Sequence, residues 1–140
     1  MIIYYLVVSA VCINTATAAN DSNLEKQKLA CLKQQDEQSD ALSAKDWVQL
    51  ERLSKIYIKK CRGVVDSEFL PFGYSNLSFA LLNMKRPGDA LDIANKCIDI
   101  FYSLPDCHLY KFKALYMLGR KQEAKEALRI TKSVTISELE

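Results

Sequence analysis

The residues of this chain that could do chemistry are its cysteines and its single histidine. Four of the five cysteines, Cys31, Cys61, Cys97 and Cys107, lie in the charged part of the chain. Their thiols could bind zinc, act as nucleophiles or pair as disulfides. Zinc is disfavoured because the sequence has no C-x-x-C pair and only one histidine to add to scattered thiols. We interpret these cysteines as two structural disulfides and expect no metal site.

His108 directly follows Asp106 and Cys107, and these neighbours invite a catalytic hypothesis. A general base needs a nucleophile and an orienting acid within hydrogen-bond reach, and adjacency in sequence does not supply that geometry. The chain also has no glycine-rich phosphate loop, paired-histidine helix or nucleophile elbow. We therefore interpret His108 as a capping or surface residue, and we predict no catalytic residue and no cofactor.

Four cysteines allow three pairings, and their positions on helices favour one. Cys97 lies near the end of one apolar-periodic segment and Cys107 near the start of the next. Cys31 and Cys61 lie at similar distances on either side of a turn near Lys45, so they should stand at similar heights in a helical hairpin. Each pair can then approach to the Cα separation of about 5.5 Å that a disulfide needs. We predict Cys31–Cys61 and Cys97–Cys107.

The first eighteen residues are typical of a secretory leader. They contain no charged side chain, Ile2 to Val11 is almost unbroken apolar sequence, and a small-x-small site ends at Ala18. The leader departs from the pattern in having no basic side chain at its start. Cys12 is better explained as part of a discarded leader than as a lipoprotein site. We expect a signal peptide at 1–18 and one exported domain at 19–140, periplasmic or secreted after cleavage near Ala18.

The rest of the chain shows helical periodicity, and no strand pattern competes with it. Asp46 is placed to cap the second segment, in which Val48, Leu50 and Leu53 are expected to face inward. The sequence predicts three antiparallel helix pairs, with helices at about 24–42, 46–61, 72–84, 88–101, 106–118 and 121–134. The net charge of +2 does not by itself indicate an acidic partner, and nucleic-acid binding is not expected.

Small residues recur in this helical part with a fixed period. Ala80 and Ala90 return as Ala114 and Ala124, each after 34 residues. Alanine allows two helices to pack at a short distance between their axes. Gly119 lies where one helix must end, in a position suited to the left-handed backbone conformation. A 34-residue period with helix breaks at matched points is typical of stacked helix–turn–helix units.

These features resemble the tetratricopeptide repeat, whose signature has a glycine at the turn and an alanine five residues later. Gly119 and Ala124 match that spacing, and Lys85 replaces the glycine in the earlier unit. The family's aromatic residue at the start of the second helix is missing, with Pro87 and Lys121 in its place. The resemblance implies an all-α fold, a short right-handed solenoid of about three antiparallel helix pairs.

The resemblance is best over residues 72–134, and it implies a concave groove lined by the first helix of each pair. On this basis the groove-facing positions are Ser75, Phe79, Leu82 and Asn83 in one unit and Leu109, Lys113, Tyr116 and Met117 in the next. The candidate partner-binding residues among them are Phe79, Asn83, Lys113, Tyr116 and Met117. An aromatic ring, an amide, a cation and a thioether would suit a peptide segment. The alternative is that Phe79, Leu82 and Leu109 are simply core. The family's clamp for a C-terminal carboxylate is not expected, because Ser75 and Phe79 stand where polar residues would be needed.

The last pair is rich in basic residues, which gives a second candidate surface. Seven cations occur among two acids there: Lys111, Lys113, Arg120, Lys121, Lys125, Arg129 and Lys132. The surface could meet an acidic partner or an anionic envelope surface, or it could only keep the end of the array solvated.

We expect an exported, non-enzymatic protein that binds another protein or a peptide segment, as an adaptor or assembly factor of the cell envelope. An immunity protein neutralising a toxin or enzyme in the periplasm remains the alternative. A third hypothesis, outside the binding class, is an envelope enzyme or an accessory domain of one. The oligomeric state stays open.

Overall fold

The computed structural model of this chain describes the backbone of residues 2–65 and 69–137, and the side chains of residues 21–65 and 69–136. Helices fill most of these ranges, and no strand is present in them. The helices are α1 (Ile2–Ser43), α2 (Trp47–Cys61), α3 (Leu70–Asn83), α4 (Pro87–Ile100), α5 (Pro105–Met117) and α6 (Lys121–Ser137). Each packs on the next along the chain, and α3 also contacts α5 directly. The result is an all-α solenoid of three helix pairs, as predicted.

The first helix is longer than the sequence pattern indicates. It runs from Ile2 to Ser43 instead of beginning near residue 24. The predicted leader therefore falls on the first part of α1, and its cleavage stays a prediction. No helix in the described part of the chain is both long and apolar enough to cross a bilayer.

The three pairs turn in the same way. The residues after the first helix of each pair include one with positive φ, namely Lys45 at 55°, Lys85 at 60° and Gly119 at 73°. At the last turn, the Gly119 and Arg120 N–H groups donate to carbonyl oxygens of α5 at 3.1 and 3.0 Å, and the other two turns repeat both bonds. These two hydrogen bonds satisfy carbonyls that a helix end leaves without partners. The predictions for Gly119 and Lys85 are confirmed.

The period-34 alanines allow the close packing for which they were singled out. Ala80, Ala90 and Ala114 are 0% exposed and Ala124 is 2% exposed. All except Ala80 belong to one apolar cluster, which spans the second and third pairs and includes leucines from α3, α4 and α5. A larger side chain at these positions would push the helices apart, and overpacking of this kind destabilises by about 1–3 kcal/mol.

The contact between the first and second pairs, here called the first junction, brings α2 and α3 very close. A Cβ atom on Gly73 of α3 would lie 2.7 Å from Cδ1 of Tyr57 and 2.9 Å from Cγ1 of Ile58. The Tyr57 hydroxyl accepts a bond from Nε2 of Gln35 at 2.6 Å and donates to the carbonyl of Phe69 at 3.1 Å. Burial raises the pKa of Tyr57, so the hydroxyl stays protonated as a donor.

A buried polar network also holds the first junction. Gln38 of α1 is 0% exposed, and its Oε1 atom accepts from Oγ of Ser54 at 2.8 Å and from Nδ2 of Asn76 at 3.3 Å. These three side chains come from three successive helices. On the outside of the same junction, Arg86 at the start of α4 donates to both carboxylate oxygens of Glu51 at 2.9 Å.

The contact between the second and third pairs, here called the second junction, is built differently. The connection from α4 to α5 covers only residues 101–104, and Cys97 and Cys107 face each other across it with their Cα atoms 5.6 Å apart. The other predicted pair, Cys31 with Cys61, lies within the first helix pair with a Cα separation of 5.8 Å. Both pairs are at disulfide-bonding distance, in the predicted arrangement.

Two expectations for single residues are wrong. His108 is neither a cap nor a surface residue, because it is 3% exposed and its Nε2 atom lies 2.7 Å from the carbonyl oxygen of Tyr102. It therefore anchors the connection at the second junction. Val48, expected to face inward, is 70% exposed, because α2 packs through Leu50 and Leu53 instead. The predicted cap is confirmed, since the Asp46 side chain accepts the Gln49 N–H at 3.0 Å.

Candidate functional site

An open groove lies between α3 and α5, near the turns of the second and third pairs. Its volume is about 280 Å³. The lining residues are Phe79, Leu82, Asn83, Lys85, Phe112, Lys113, Tyr116 and Met117. All five residues that the sequence singled out for partner binding are among them. The structure thus brings the five together on one surface, and their role in binding stays a prediction.

The sequence argument missed two members of the lining. Lys85 reaches the groove from the turn after α3, and the sequence analysis considered it only as the replacement for the turn glycine. Phe112 precedes Lys113 on α5, and its ring lies 6.1 Å from that of Tyr116, one helical turn later. Two aromatic residues four positions apart lie on the same side of a helix, and this spacing could have identified Phe112 as a lining residue. Ser75 and Leu109, also expected to face the groove, are half-buried and do not line it.

A row of aromatic rings borders the groove. The Phe79 ring lies between that of Trp47, with centroids 5.5 Å apart in edge contact, and that of Tyr110, at 6.2 Å. The three rings belong to three different helix pairs. Phe79 is only half-buried, so it is both part of this row and part of the groove surface. The row fixes the ring in place, which lowers the entropy that a ligand contact would cost.

Lys113 is held over the same row. Its ammonium nitrogen lies 5.5 Å from the centroid of the Tyr110 ring, within the range of a cation–π contact. Burial, and then the nearby carboxylate of Asp106, raise the pKa of Tyr110 to about 12. The phenol is therefore neutral at any physiological pH.

The α5 wall presents apolar surface to solvent. Tyr116 is 67% exposed and Met117 is 40% exposed. Across the groove, Asn83 donates its Nδ2 atom to the carbonyl of Phe79 at 2.9 Å, one turn earlier in α3. This bond orients the amide and leaves its oxygen able to accept a bond from a ligand N–H.

The charged side chains that line the groove are all cationic. Lys85 and Lys113 line it, and no carboxylate does. Neither lysine takes part in an ion pair within the described ranges. The lining has no pair of nucleophile and base, and no cluster of His, Cys, Asp and Glu in the described residues could hold a metal ion. These side chains can bind a ligand through apolar contact, positive charge and a peptide-like hydrogen bond.

The basic surface of the last pair is partly neutralised. Arg120 donates to Glu123, and Arg129 donates to Glu126, with donor–acceptor distances of 2.7–2.9 Å. The bond from Arg120 holds the pKa of Glu123 below its usual value, and the bond from Arg129 does the same for Glu126. Both acids of this region are therefore occupied by arginines, and its lysines are the cations that remain for other contacts.

Comparison with known proteins identifies the fold. No protein-family model matches the chain, and no curated protein matches it in sequence. A solved structure described as the TPR2B-domain:pHsp70-complex of yeast Sti1 is similar to it, with a TM-score of 0.67 and 20% sequence identity. The similarity covers 76% of this chain and 80% of the other. The chain therefore has a tetratricopeptide-repeat-like fold.

Proposed function

We propose that this protein is an exported, non-enzymatic module that holds a segment of another protein in the groove between α3 and α5. The observation that carries the proposal is that five residues chosen from the repeat pattern line one surface, together with two more ring and cation side chains. The similar domain of Sti1 is described in a complex with pHsp70, which supports a peptide as the kind of ligand that this fold can hold.

The chemistry of the lining supports a segment that is apolar with an acidic residue nearby. Tyr116, Met117 and Phe112 offer apolar surface, and covering it releases about 25 cal/mol for each Å² removed from water. Lys85 and Lys113 would attract a carboxylate, because no acid in the lining competes for them. A strongly basic segment would be repelled by the same two lysines.

The backbone of such a segment also has a partner. The Asn83 amide is oriented by its bond to the carbonyl of Phe79, so its oxygen can accept from a main-chain N–H without further ordering. A carboxylate clamp for a chain terminus is not proposed, because Phe79 is engaged with two aromatic neighbours and Ser75 lies outside the lining. The bound segment is accordingly an internal one.

Export is supported by the leader pattern and by the cysteines. Two cysteine pairs at disulfide-bonding distance are typical of proteins that fold in an oxidising compartment. The disulfides would also stabilise a short array, in which each pair contacts only its neighbours. An envelope adaptor and an inhibitor of a toxin would both use the groove in this way, and the identity of the captured partner separates the two.

Site-specific photo-crosslinking in cells tests the proposal. A photoreactive amino acid at Tyr116, which is 67% exposed in the groove, is compared with one at Val48, which is 70% exposed outside it. We expect an adduct with one partner from position 116 only, mapping to an apolar–acidic segment. Adducts of equal yield from both positions, or adducts from position 48 alone, would refute binding in the groove.

A further inference from the structure

Within the described residues, the helix pairs at the two ends of the array each present one face that no neighbouring pair covers. The 34-residue period identifies the residues of the last pair that occupy this face. In α4, Leu91 and Ile98 lie in the apolar clusters that also hold residues of α5. The positions 34 residues later in α6 are Lys125 and Lys132. The surface that receives the next pair inside the array is therefore cationic at its end.

The lysines of this end face form a single stripe. At 100° per residue, Lys121, Lys125 and Lys132 fall within about 40° of one another around α6. All three are exposed, and none is in an ion pair within residues 2–65 and 69–137. The acids of α6 lie on another side of the helix, where each pairs with an arginine. We call this stripe the basic end face.

The first pair presents the opposite charge. Asp36, Glu37 and Asp40 are exposed on α1, and none is in an ion pair within the described ranges. An open pocket of about 350 Å³ on this side is lined by Glu37, Asp40 and Asp46, with no basic residue in the lining. Lys33 lies on the same side of α1 and reduces the negative charge without cancelling it. We call this surface the acidic end face.

The repeat gives the register in which these two faces would meet. The turn residues Lys45 and Lys85 are equivalent, so Asp40 stands in α1 where Ala80 stands in α3 and Ala114 in α5. Ala114 shares an apolar cluster with Leu91 of the preceding pair. If α1 of a second copy followed α6 as α5 follows α4, Asp40 would occupy the Ala114 position against Lys125 at the Leu91 position.

We propose that the basic end face binds the acidic end face of a second copy of this chain, head to tail, so that the solenoid continues from one molecule to the next. Apolar residues at the far end of the contact fit the same register, since Leu29 and Leu32 of α1 are 69% and 47% exposed and Ile136 of α6 is 59% exposed. The contact joins two different surfaces, so every open assembly keeps one free face of each charge at its ends.

The physical character of this contact sets its expected strength. Exposed ion pairs contribute little each, and salt screens them over a distance of about 10 Å at 0.1 M. The association is therefore weak, rises with protein concentration and is reversed by salt. The association does not depend on the proposed function of the groove, since no residue of the basic end face or of the acidic end face lines the groove.

Sedimentation velocity of the purified protein over a concentration series tests the proposal. At about 0.03 M salt we expect the average mass to rise with concentration, and at about 0.5 M salt we expect monomer. The variants Lys125→Glu and Asp40→Lys are each expected to weaken self-association by about tenfold or more. Lys96→Glu changes an exposed lysine of α4 away from both end faces and is the matched control.

Mixing the two variants gives the decisive arm. Lys125→Glu keeps an intact acidic end face and Asp40→Lys keeps an intact basic one, so the mixture should associate more strongly than either variant alone. Far-ultraviolet circular dichroism of each variant confirms that the helices are retained. The proposal is overturned by a wild-type protein that stays monomeric at low salt, by association that ignores salt or the two substitutions, or by a mixture that stays monomeric.

Discussion

The first and second junctions join helix pairs of the same architecture by different chemistry. The first junction relies on fit: a glycine against a tyrosine ring, and a buried amide shared among three helices. The second junction has a connection of four residues, residues 101–104, and a cysteine pair across it. Among the residues that the structure describes, its remaining contacts are apolar, apart from the bond between His108 and the carbonyl of Tyr102.

The difference matters because the groove lies over the second junction. Its two walls, α3 and α5, belong to the two pairs that Cys97 and Cys107 connect. The first pair contributes no residue to the lining, and the Cys31–Cys61 pair closes that hairpin only on itself. We infer that one cysteine pair stabilises a supporting unit, whereas the other also fixes the spacing of the groove walls.

Removal of either disulfide is expected to have the largest effect on stability. In the chain-entropy view, a bridge across a longer segment constrains the unfolded chain more. The double variant Cys31→Ser with Cys61→Ser, across a sequence separation of 30, should lose about 4 kcal/mol of unfolding free energy. Cys97→Ser with Cys107→Ser, across a separation of 10, should lose about 3 kcal/mol. Urea unfolding of both double variants, with wild type as reference, measures these values.

The same two double variants should differ in the opposite order at the groove. In nuclear magnetic resonance spectra recorded without urea, loss of the Cys97–Cys107 pair is expected to shift or broaden the signals of Asn83, Lys113 and Tyr116. Loss of the Cys31–Cys61 pair should leave those signals in place, because no lining residue belongs to the first helix pair. Equal disturbance of the groove by both variants would contradict the assignment of separate roles.

Gly73→Ala tests the close approach at the first junction. The added Cβ would lie under 3 Å from two side chains of α2, and we expect a loss of about 1–3 kcal/mol in unfolding free energy. Gly88→Ala is the control, because nothing lies within 4 Å of its Cβ position in α4. That variant should be neutral or gain up to about 1 kcal/mol from helix propensity. Equal losses in the two variants would show that space at Gly73 is not limiting.

Gln38→Ala tests the polar network. It removes the acceptor that Ser54 and Asn76 share, and buried donors left without partners cost about 1–3 kcal/mol. Ser39→Ala, one residue later on an exposed side of α1, should change stability by less than about 0.5 kcal/mol. Calorimetric unfolding compares the two variants. A Gln38→Ala protein as stable as its control would contradict a stabilising role for the network.

The smallest effect is expected at the outer edge of the first junction. A hydrogen bond from Lys55, followed by one from Arg86, lowers the pKa of Glu51 below 4.5, against the opposing effect of burial. A carboxylate with a lowered folded pKa stabilises at neutral pH, and that contribution is lost as pH falls through the folded pKa. Glu51→Gln should therefore cost less than about 1 kcal/mol at pH 7. Its deficit should shrink below pH 4.5, and a deficit that is constant down to pH 2 would contradict the ionic contribution.

Much of the fold follows from local features of the sequence. The 34-residue spacing of Ala80 and Ala114 gave the stacking, and the turn positions followed from Gly119 and its replacement by Lys85. The cysteine pairs followed from their positions on consecutive helices, since helix geometry alone sets which ends lie side by side. The five groove residues came from the repeat in the same way, because the first helix of each pair exposes one side to the concave surface.

The features that escaped prediction depend on contacts between distant segments. The fit of Gly73 against Tyr57 and the sharing of Gln38 by two other helices leave no periodic trace in the sequence. His108 was interpreted as a capping or surface residue, and its burial escaped prediction because its partner is a main-chain carbonyl, which any residue could supply. Val48 belongs to an apolar stripe but lies at the start of α2, where that side of the helix is exposed to solvent.

The most direct test of the central claim measures the affinity of the segment identified by crosslinking for charge variants of the protein. Isothermal titration compares Lys113→Glu, in the groove, with Lys132→Glu, on the basic end face. We predict that the groove variant weakens binding by about tenfold or more, whereas the end-face variant stays within about twofold of wild type. The reverse result, with binding lost in Lys132→Glu and kept in Lys113→Glu, would contradict the assignment of the groove as the partner-binding surface.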